Sequence, residues 1–160
     1  MLLHLIRHAD AGDPDAWEGP DAARPLSDKG RNQAKRLAEF LAGIKFSGQP
    51  FITSPKLRAA QTADLVATEL EAPVVTDDRL AGALTPDIVE AILRDAGDPE
   101  RPVLVGHDPD FSDLLADLCA APHVPMRKGA LARIEIDRPF REGGGTLRWL
   151  LPPDALKRER

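Results

Sequence analysis

Apolar residues along the chain fall into short continuous runs, and between the runs they recur at three- and four-residue intervals. Residues 2–6 form the first run and read as a compact strand, while residues 10–24, rich in Gly, Pro and Asp, read as a loop. Ser27 then offers a helix N-cap, and Ala34, Leu37, Ala38 and Leu41 repeat at helical spacing until Gly43 supplies a stop. Residues 51–53 predict a second short strand, followed by a helix with Ala59, Ala63, Val66, Ala67 and Leu70 on one face. A third strand is expected at 73–76, a helix at 86–95 with Ile88, Val89, Ile92 and Leu93 turned inward, and a fully apolar fourth strand at 102–105. Phe111, Leu114, Leu115, Leu118 and Cys119 mark another amphipathic helix. The pattern then changes, with strand runs at 130–137 and 146–151 flanking Gly143-Gly144-Gly145, which suggests an antiparallel pair at the end of the sheet.

Alternating strand and helix units with near-continuous apolar strands indicate an α/β fold with a mainly parallel sheet covered on both faces. In such folds ligands sit beyond the carboxyl ends of the strands. Chemistry is therefore expected just after Ile6, Thr53 and Val105. The pattern predicts one domain over residues 1–152 and a polar tail at 153–160 that is expected to fray.

Composition narrows the partners. The 160 residues are 42% hydrophobic and 29% charged, with a net charge of -5, and only 4% are aromatic with no Tyr. An acidic chain with so few aromatics lacks both the basic face and the stacking surface of a nucleic-acid binder. No apolar run approaches the roughly 20 residues needed to span a bilayer. The single cysteine, Cys119, fits a reducing compartment, and the first residues are too soon interrupted by charge for a signal peptide, so a cytoplasmic protein is expected.

The strand ends carry the informative residues. Arg7-His8 follows the first strand, Ser54-Pro55-Lys56-Leu57-Arg58 through Thr62 the second, and Gly106-His107-Asp108-Pro109 the fourth. Two arginines and two histidines thus converge on one sheet edge from segments far apart in sequence. A neutral imidazole is a competent nucleophile toward phosphorus, and a phosphohistidine intermediate divides one hard step into two easier ones. The remaining work in phosphoryl transfer is positioning and charge stabilisation. Arg7 and Arg58 can each give bidentate hydrogen bonds to phosphoryl oxygens, His107 can add a donor, and the cationic surroundings are expected to lower the pKa of His8. Bonding of Nδ1–H to a backbone carbonyl would leave Nε2 free to attack.

Leu5-Ile6-Arg7-His8-Ala9 resembles the Arg-His-Gly signature of the histidine phosphatase (phosphoglycerate mutase-like) superfamily, with Ala9 where Gly is usual. Ser54-Pro55 through Thr62 resembles that family's second arginine motif, and Val105-Gly106-His107 its second histidine motif. Arg24-Pro25-Leu26-Ser27 with Gly30 and Gln33-Ala34 resembles the segment that opens the first helix. The resemblance implies a three-layer α/β/α sandwich, a domain over residues 1–152, no metal and no cofactor, with His8 as nucleophile and Arg7, Arg58 and His107 around it. The compact length points to the SixA-like phosphohistidine phosphatases. Longer relatives usually carry a proton-donating glutamate shortly after the third strand, and residues 77–84 contain none. A phosphorylated protein or a small phosphorylated molecule is the implied substrate. Imidazole leaves more readily than an alkoxide, which depends on a positioned acid. Asp108 is the possible proton donor, since an aspartate directly after the second histidine has that role in the acid-phosphatase branch.

Plainer readings stand beside these. Asp108 can cap the helix that starts near Pro109, Ser54 can cap the second helix or touch phosphate, and Asp10 can order its own loop or serve as a weak acid. His4 and His123 read as structural, Cys119 as core, and Trp17 as either the anchor of a flap or surface packing. The rivals are a phosphate-binding module that has lost activity, a small-molecule ester phosphatase using Asp108, and a metal-dependent hydrolase built on His107-Asp108. The last lacks an accompanying carboxylate/histidine cluster at metal spacing. No G-x-G-x-x-G follows the first strand to hold a dinucleotide.

Overall fold

The computed structural model describes residues 1–157. The strands are β1 (Leu2–Arg7), β2 (Phe51–Thr53), β3 (Val74–Thr76), β4 (Val103–Gly106), β5 (Leu131–Ile136) and β6 (Gly145–Leu151). They form a single sheet in the order β3-β2-β4-β1-β5-β6. The helices are α1 (Asp28–Gly43), α2 (Leu57–Glu69), α3 (Pro86–Asp95) and α4 (Asp110–Leu118).

The period-two alternation of strand side chains divides the core. Leu3, Leu5, Ile52 and Leu104 face one way and pack with Val89, Ile92 and Leu93 of α3 and Phe111, Leu114, Leu115 and Leu118 of α4. Ile6, Phe51, Val103 and Val105 face the other way, against Leu37 and Leu41 of α1 and Ala59, Ala63 and Val66 of α2. Each central strand therefore has both faces buried, which is why its sequence reads as an uninterrupted apolar run. The result is the three-layer α/β/α sandwich with a mainly parallel sheet. Among the described residues no helix is long and apolar enough to cross a membrane.

The antiparallel pair ends the sheet as the sequence suggests, with β5 joining it to β1. Two details differ from the reading of the sequence. The strand β3 begins at Val74 rather than at residue 73, and as an outer strand it leaves Val75 47% exposed. The tail expected to fray folds in its first half. Pro153–Leu156 form a 3-10 turn with Pro153 buried and Leu156 against the α1/α2 side of the core. Those apolar side chains hold the segment despite its charged neighbours; residues 158–160 of the expected tail lie outside the described residues.

The start of α1 shows how tightly the loop beyond β1 is held. Ser27 caps the helix by accepting the Gly30 N–H at 3.0 Å, and its own N–H donates to the Asp10 carbonyl at 3.0 Å. At Gly30 a Cβ would lie 1.9 Å from that same carbonyl oxygen. The helix can approach the chain just past His8 only because residue 30 has no side chain. Gly30→Ala is expected to lower stability by at least about 2 kcal/mol in urea unfolding, since backbone rather than a flexible side chain must move. An unchanged unfolding midpoint would contradict this account of the contact.

Candidate active site

Parallel pairing puts Arg7 of β1 beside Gly106 of β4, and Thr53 of β2 beside Val105. The ladder runs one step further, with the His8 N–H donating to the Gly106 carbonyl at 2.9 Å and the Ser54 N–H to that of Val105 at 3.0 Å. His8, Ser54 and His107 consequently leave three adjacent strands at one edge. The two imidazoles face each other with centroids 5.3 Å apart.

His8 is buried, and its Nδ1 lies 2.7 Å from the Ala9 carbonyl oxygen. A carbonyl can only accept, so Nδ1 carries the hydrogen and Nε2 keeps its lone pair. The His8 pKa is lowered to about 4, chiefly by burial, with the charges of Arg58, Arg7 and Lys128 adding to it and the Ala9 bond opposing it. The cations expected to keep this ring neutral therefore act second to desolvation. Gly129, at a φ of +78°, donates its N–H to the carbonyls of Arg7 and His8 at 3.1 and 3.0 Å and fixes the backbone beneath the ring.

His107 is also buried, and its pKa is lowered to about 3 by burial first and then by His8, Arg58 and Lys56. Its Nε2 sits 2.7 Å from Ser54 Oγ, which itself accepts the Lys56 N–H at 3.3 Å. A hydroxyl has one proton and two lone pairs, so Ser54 can donate to Nε2 while accepting from Lys56, and in that arrangement the hydrogen of His107 sits on Nδ1. Ser54 thus meets the neighbouring histidine and the turn that leads into α2.

Among the described residues, three buried side-chain nitrogens have no hydrogen-bond partner: Arg7 Nε, Arg58 Nε and His107 Nδ1. Buried donors are almost always satisfied, so orphaned nitrogens on these residues stand out. All three belong to the residues that the sequence singled out. An oxyanion with several acceptor oxygens is the chemical complement of two guanidinium groups and an imidazole N–H.

Other donors of these arginines are held by the protein. Arg7 Nη1 donates to the Met126 carbonyl at 2.7 Å and to Asp108 Oδ2 at 3.3 Å. Asp108 accepts in addition from Ser112 N–H at 3.1 Å and Ser112 Oγ at 2.7 Å, so it caps α4 while steadying Arg7. Arg58 Nη1 and Nη2 donate to the carbonyl and carboxylate of Asp21 at 2.9 and 3.0 Å. Asp21 lies in the loop that looked featureless in the sequence, and no motif spacing drew attention to it.

That loop is built by the segment opening α1. Arg24 is buried and donates to the Ala11 carbonyl at 2.8 Å, and Gln33 Oε1 accepts the Asp10 N–H at 2.9 Å. Thr62 Oγ1 accepts the Ala9 N–H at 3.1 Å, and Gln61 Oε1 accepts that of Leu26 at 2.9 Å. Asp10 orders its own turn, as its plainer reading had it. It accepts from Ser27 Oγ at 2.6 Å and the Gly12 N–H at 3.2 Å, with Lys128 Nζ at 3.6 Å. Burial pushes the Asp10 carboxyl up, but those hydrogen bonds and the lysine charges outweigh it and hold it below the usual carboxylate range.

The other residues weighed from sequence lie outside the site. Trp17 stays within its own loop, exposed, with its indole N–H on the Pro20 carbonyl at 2.9 Å. His4 is buried between the Pro102 carbonyl at 3.1 Å and Arg133 Nε at 3.0 Å. Cys119 is half-buried at the end of α4, and His123 is exposed. Among the described residues no three His, Cys, Asp or Glu side chains are grouped so as to hold a metal ion.

Comparison with known proteins bears on this geometry. Residues 3–83 match the family model of the histidine phosphatase superfamily (branch 1). The phosphohistidine phosphatase SixA of Escherichia coli (strain K12) is 30% identical over 164 residues, covering 98% of this chain and 97% of that protein. A solved structure of the protein histidine phosphatase SixA complexed with tungstate superimposes with a TM-score of 0.82 at 29% identity, covering 98% of this chain and 100% of that one. An 8-oxo-(d)GTP phosphatase of Mycolicibacterium smegmatis is 30% identical over 105 residues, or 62% of this chain and 32% of that protein.

The buried imidazoles set the acid stability. His4 and His8 fall to about 4 and His107 to about 3, from 6.5 in the unfolded chain. Between those limits the unfolded state binds more protons, so stability is full above pH 6.5 and falls as the pH drops toward 4. Each ring contributes up to roughly 1.4 kcal/mol per pH unit within that window. Urea unfolding of the anion-free protein at pH 7, 6 and 5 is expected to show the midpoint falling steadily. A flat profile over that range would mean that the rings accept protons in the folded state.

Proposed function

Because this chain belongs to the histidine phosphatase superfamily, branch 1, we propose that it is a phosphohistidine phosphatase that takes the phosphoryl group from a modified protein onto Nε2 of His8. The observation that carries the proposal is a pair of buried imidazoles 5.3 Å apart beside the Arg58 and Arg7 charges, with Nδ1 of His8 tied to the Ala9 carbonyl. The tungstate held by the solved SixA supports it, since tungstate is a tetrahedral oxyanion like phosphate.

In the first step the Nε2 lone pair of His8 attacks phosphorus. The bond from phosphorus to the substrate ring, which carries a proton on its other nitrogen, breaks with its electron pair on the departing nitrogen, so that neutral imidazole leaves. The ring of His8 becomes positive, and the Ala9 carbonyl at 2.7 Å stabilises the Nδ1–H that it keeps. The guanidinium groups of Arg7 and Arg58 hold the phosphoryl oxygens and His107 adds a donor, where charge is spread in the transition state. In the second step water attacks phosphorus, its proton passes to the departing phosphate, and the bond to His8 breaks, restoring the neutral ring.

The preference for phosphohistidine rests on the acids near the site. Residues 77–84 contain no glutamate. Asp77 is instead engaged with Arg79, accepting from its Nε at 2.9 Å and its Nη2 at 2.6 Å. Asp108 is occupied as an acceptor by Arg7 and Ser112. A leaving group that departs without a strong proton donor suits this arrangement. The similarity along nearly the whole chain to SixA supports the same substrate class.

Single-turnover reaction with phosphohistidine followed by mass analysis is expected to find the phosphoryl group on His8, and His8→Ala is expected to abolish turnover. The kcat/KM for a phosphohistidine peptide should exceed that for a sugar phosphate; the opposite order would overturn the substrate assignment. Asp108→Asn should slow both substrates alike, because it loosens Arg7. A loss confined to the ester would instead restore Asp108 as a proton donor.

A further inference from the structure

Asp21 meets Arg58 in a way that neither the family motifs nor the loop's sequence foretells. It opens a 3-10 turn, Asp21–Ala23, in which its carbonyl also accepts the Arg24 N–H at 3.1 Å. That carbonyl takes Arg58 Nη1 at 2.9 Å, and the carboxylate Oδ2 takes Nη2 at 3.0 Å. Both bonds fall on the end of the guanidinium formed by its two terminal nitrogens. The side that carries Nε is left over, and Nε is buried without a partner.

A guanidinium is planar and presents its N–H groups in a fixed fork, so holding one edge sets the direction of the other. Asp21 is itself held from behind. Its Oδ1 accepts from Arg24 Nε and Nη2 at 3.4 Å each, while Arg24 Nη1 grips the carbonyls of Ala11 and Gly12 at 2.8 and 3.4 Å. Arg58 is thus fixed at one end by α2 and at the other by the loop following His8.

We propose that Asp21 is a positioning residue of this phosphatase, holding Nη1 and Nη2 of Arg58 so that the guanidinium is kept in place for the phosphoryl group. The proposal rests on the reading of Arg58 as a phosphoryl-binding residue. Its consequence runs against simple Coulombic expectation. Removing a negative charge beside an anion site should strengthen anion binding, whereas removing the support of Arg58 should weaken it.

The experiment compares wild type, Asp21→Ala and Asp21→Asn, each checked for an unchanged thermal midpoint. Tungstate affinity is measured by calorimetry, and kcat and KM are measured with acetyl phosphate. Asp21→Ala is expected to lower kcat by between about 10- and 10²-fold, the scale of a small misplacement at a reacting centre, and to weaken tungstate binding. Asp21→Asn, which keeps an acceptor for Nη2 without the charge, should recover most of both losses. Unchanged or tighter tungstate binding in Asp21→Ala, or an asparagine variant as impaired as the alanine one, would overturn the assignment. Tungstate binding is read without turnover, so a wild-type protein that binds it yet hydrolyses nothing would refute the His8 mechanism while leaving Asp21 to be judged on the affinities. Should the alanine variant unfold, the asparagine variant's tungstate affinity decides alone, with more than a tenfold loss counting against positioning.

Discussion

The parallel pairing of β1 with β4 is the constraint on which the site depends. It sets Arg7 opposite Gly106, so the residues that follow, His8 and His107, leave the sheet side by side. Register in a sheet buried on both faces is strongly specified, because a slip of one residue would send Leu3 and Leu5 into the layer of α1 and α2. The apolar core therefore fixes the distance between two polar rings that contribute nothing to it. The ladder bond from the His8 N–H to Gly106 and the two bonds from Gly129 carry that precision one residue past the strand.

Electrostatics within this frame follow a division of labour. The imidazoles are kept neutral mainly because they are buried, and the nearby cations reinforce the effect. Arg7 is anchored through Nη1 on Met126 and Asp108, and Arg58 through Nη1 and Nη2 on Asp21. Among the described residues, the Nε groups of both are buried without acceptors. The site is thus preorganised at the cost of a few unsatisfied buried donors, the sort of local penalty that marks functional sites.

Much of this was legible in the chain. Continuous apolar runs and helical spacing placed every strand and α-helix, since the central strands are uniformly apolar and α1 has a serine cap and a regular stripe. The rule that chemistry lies past the strand ends then collected Arg7, His8, Arg58 and His107, which the folded chain brings together. Less legible were contacts made through backbone. The carbonyls of Ala9 and Met126 and the N–H of Gly129 act whatever side chain they carry, so residue identity gives little sign of them. Asp21 was invisible for a related reason, lying in an acidic stretch among Asp13, Asp15 and Glu18, with only its folded position to distinguish it. Pro153 and Leu156 were judged by charged neighbours, although two apolar side chains were enough to seat the segment on α1.

The acids around the site give the most telling constraint on its chemistry. Three carboxylates approach it, and each is committed as an acceptor: Asp10 to Ser27 and Gly12, Asp21 to Arg58 and Arg24, Asp108 to Arg7 and Ser112. For Asp10 and Asp21 the bonds and charges received outweigh burial and hold the carboxyl below its usual range. A group stabilised as the anion is a poor source of a proton, and both histidines are neutral rings with lowered pKa values. The carboxylates act instead to orient cations, which is useful for holding a phosphoryl group and of little use to an alkoxide that must leave. On the proposed reading, a nitrogen leaving group, less dependent on an acid, is the one such a site disfavours least.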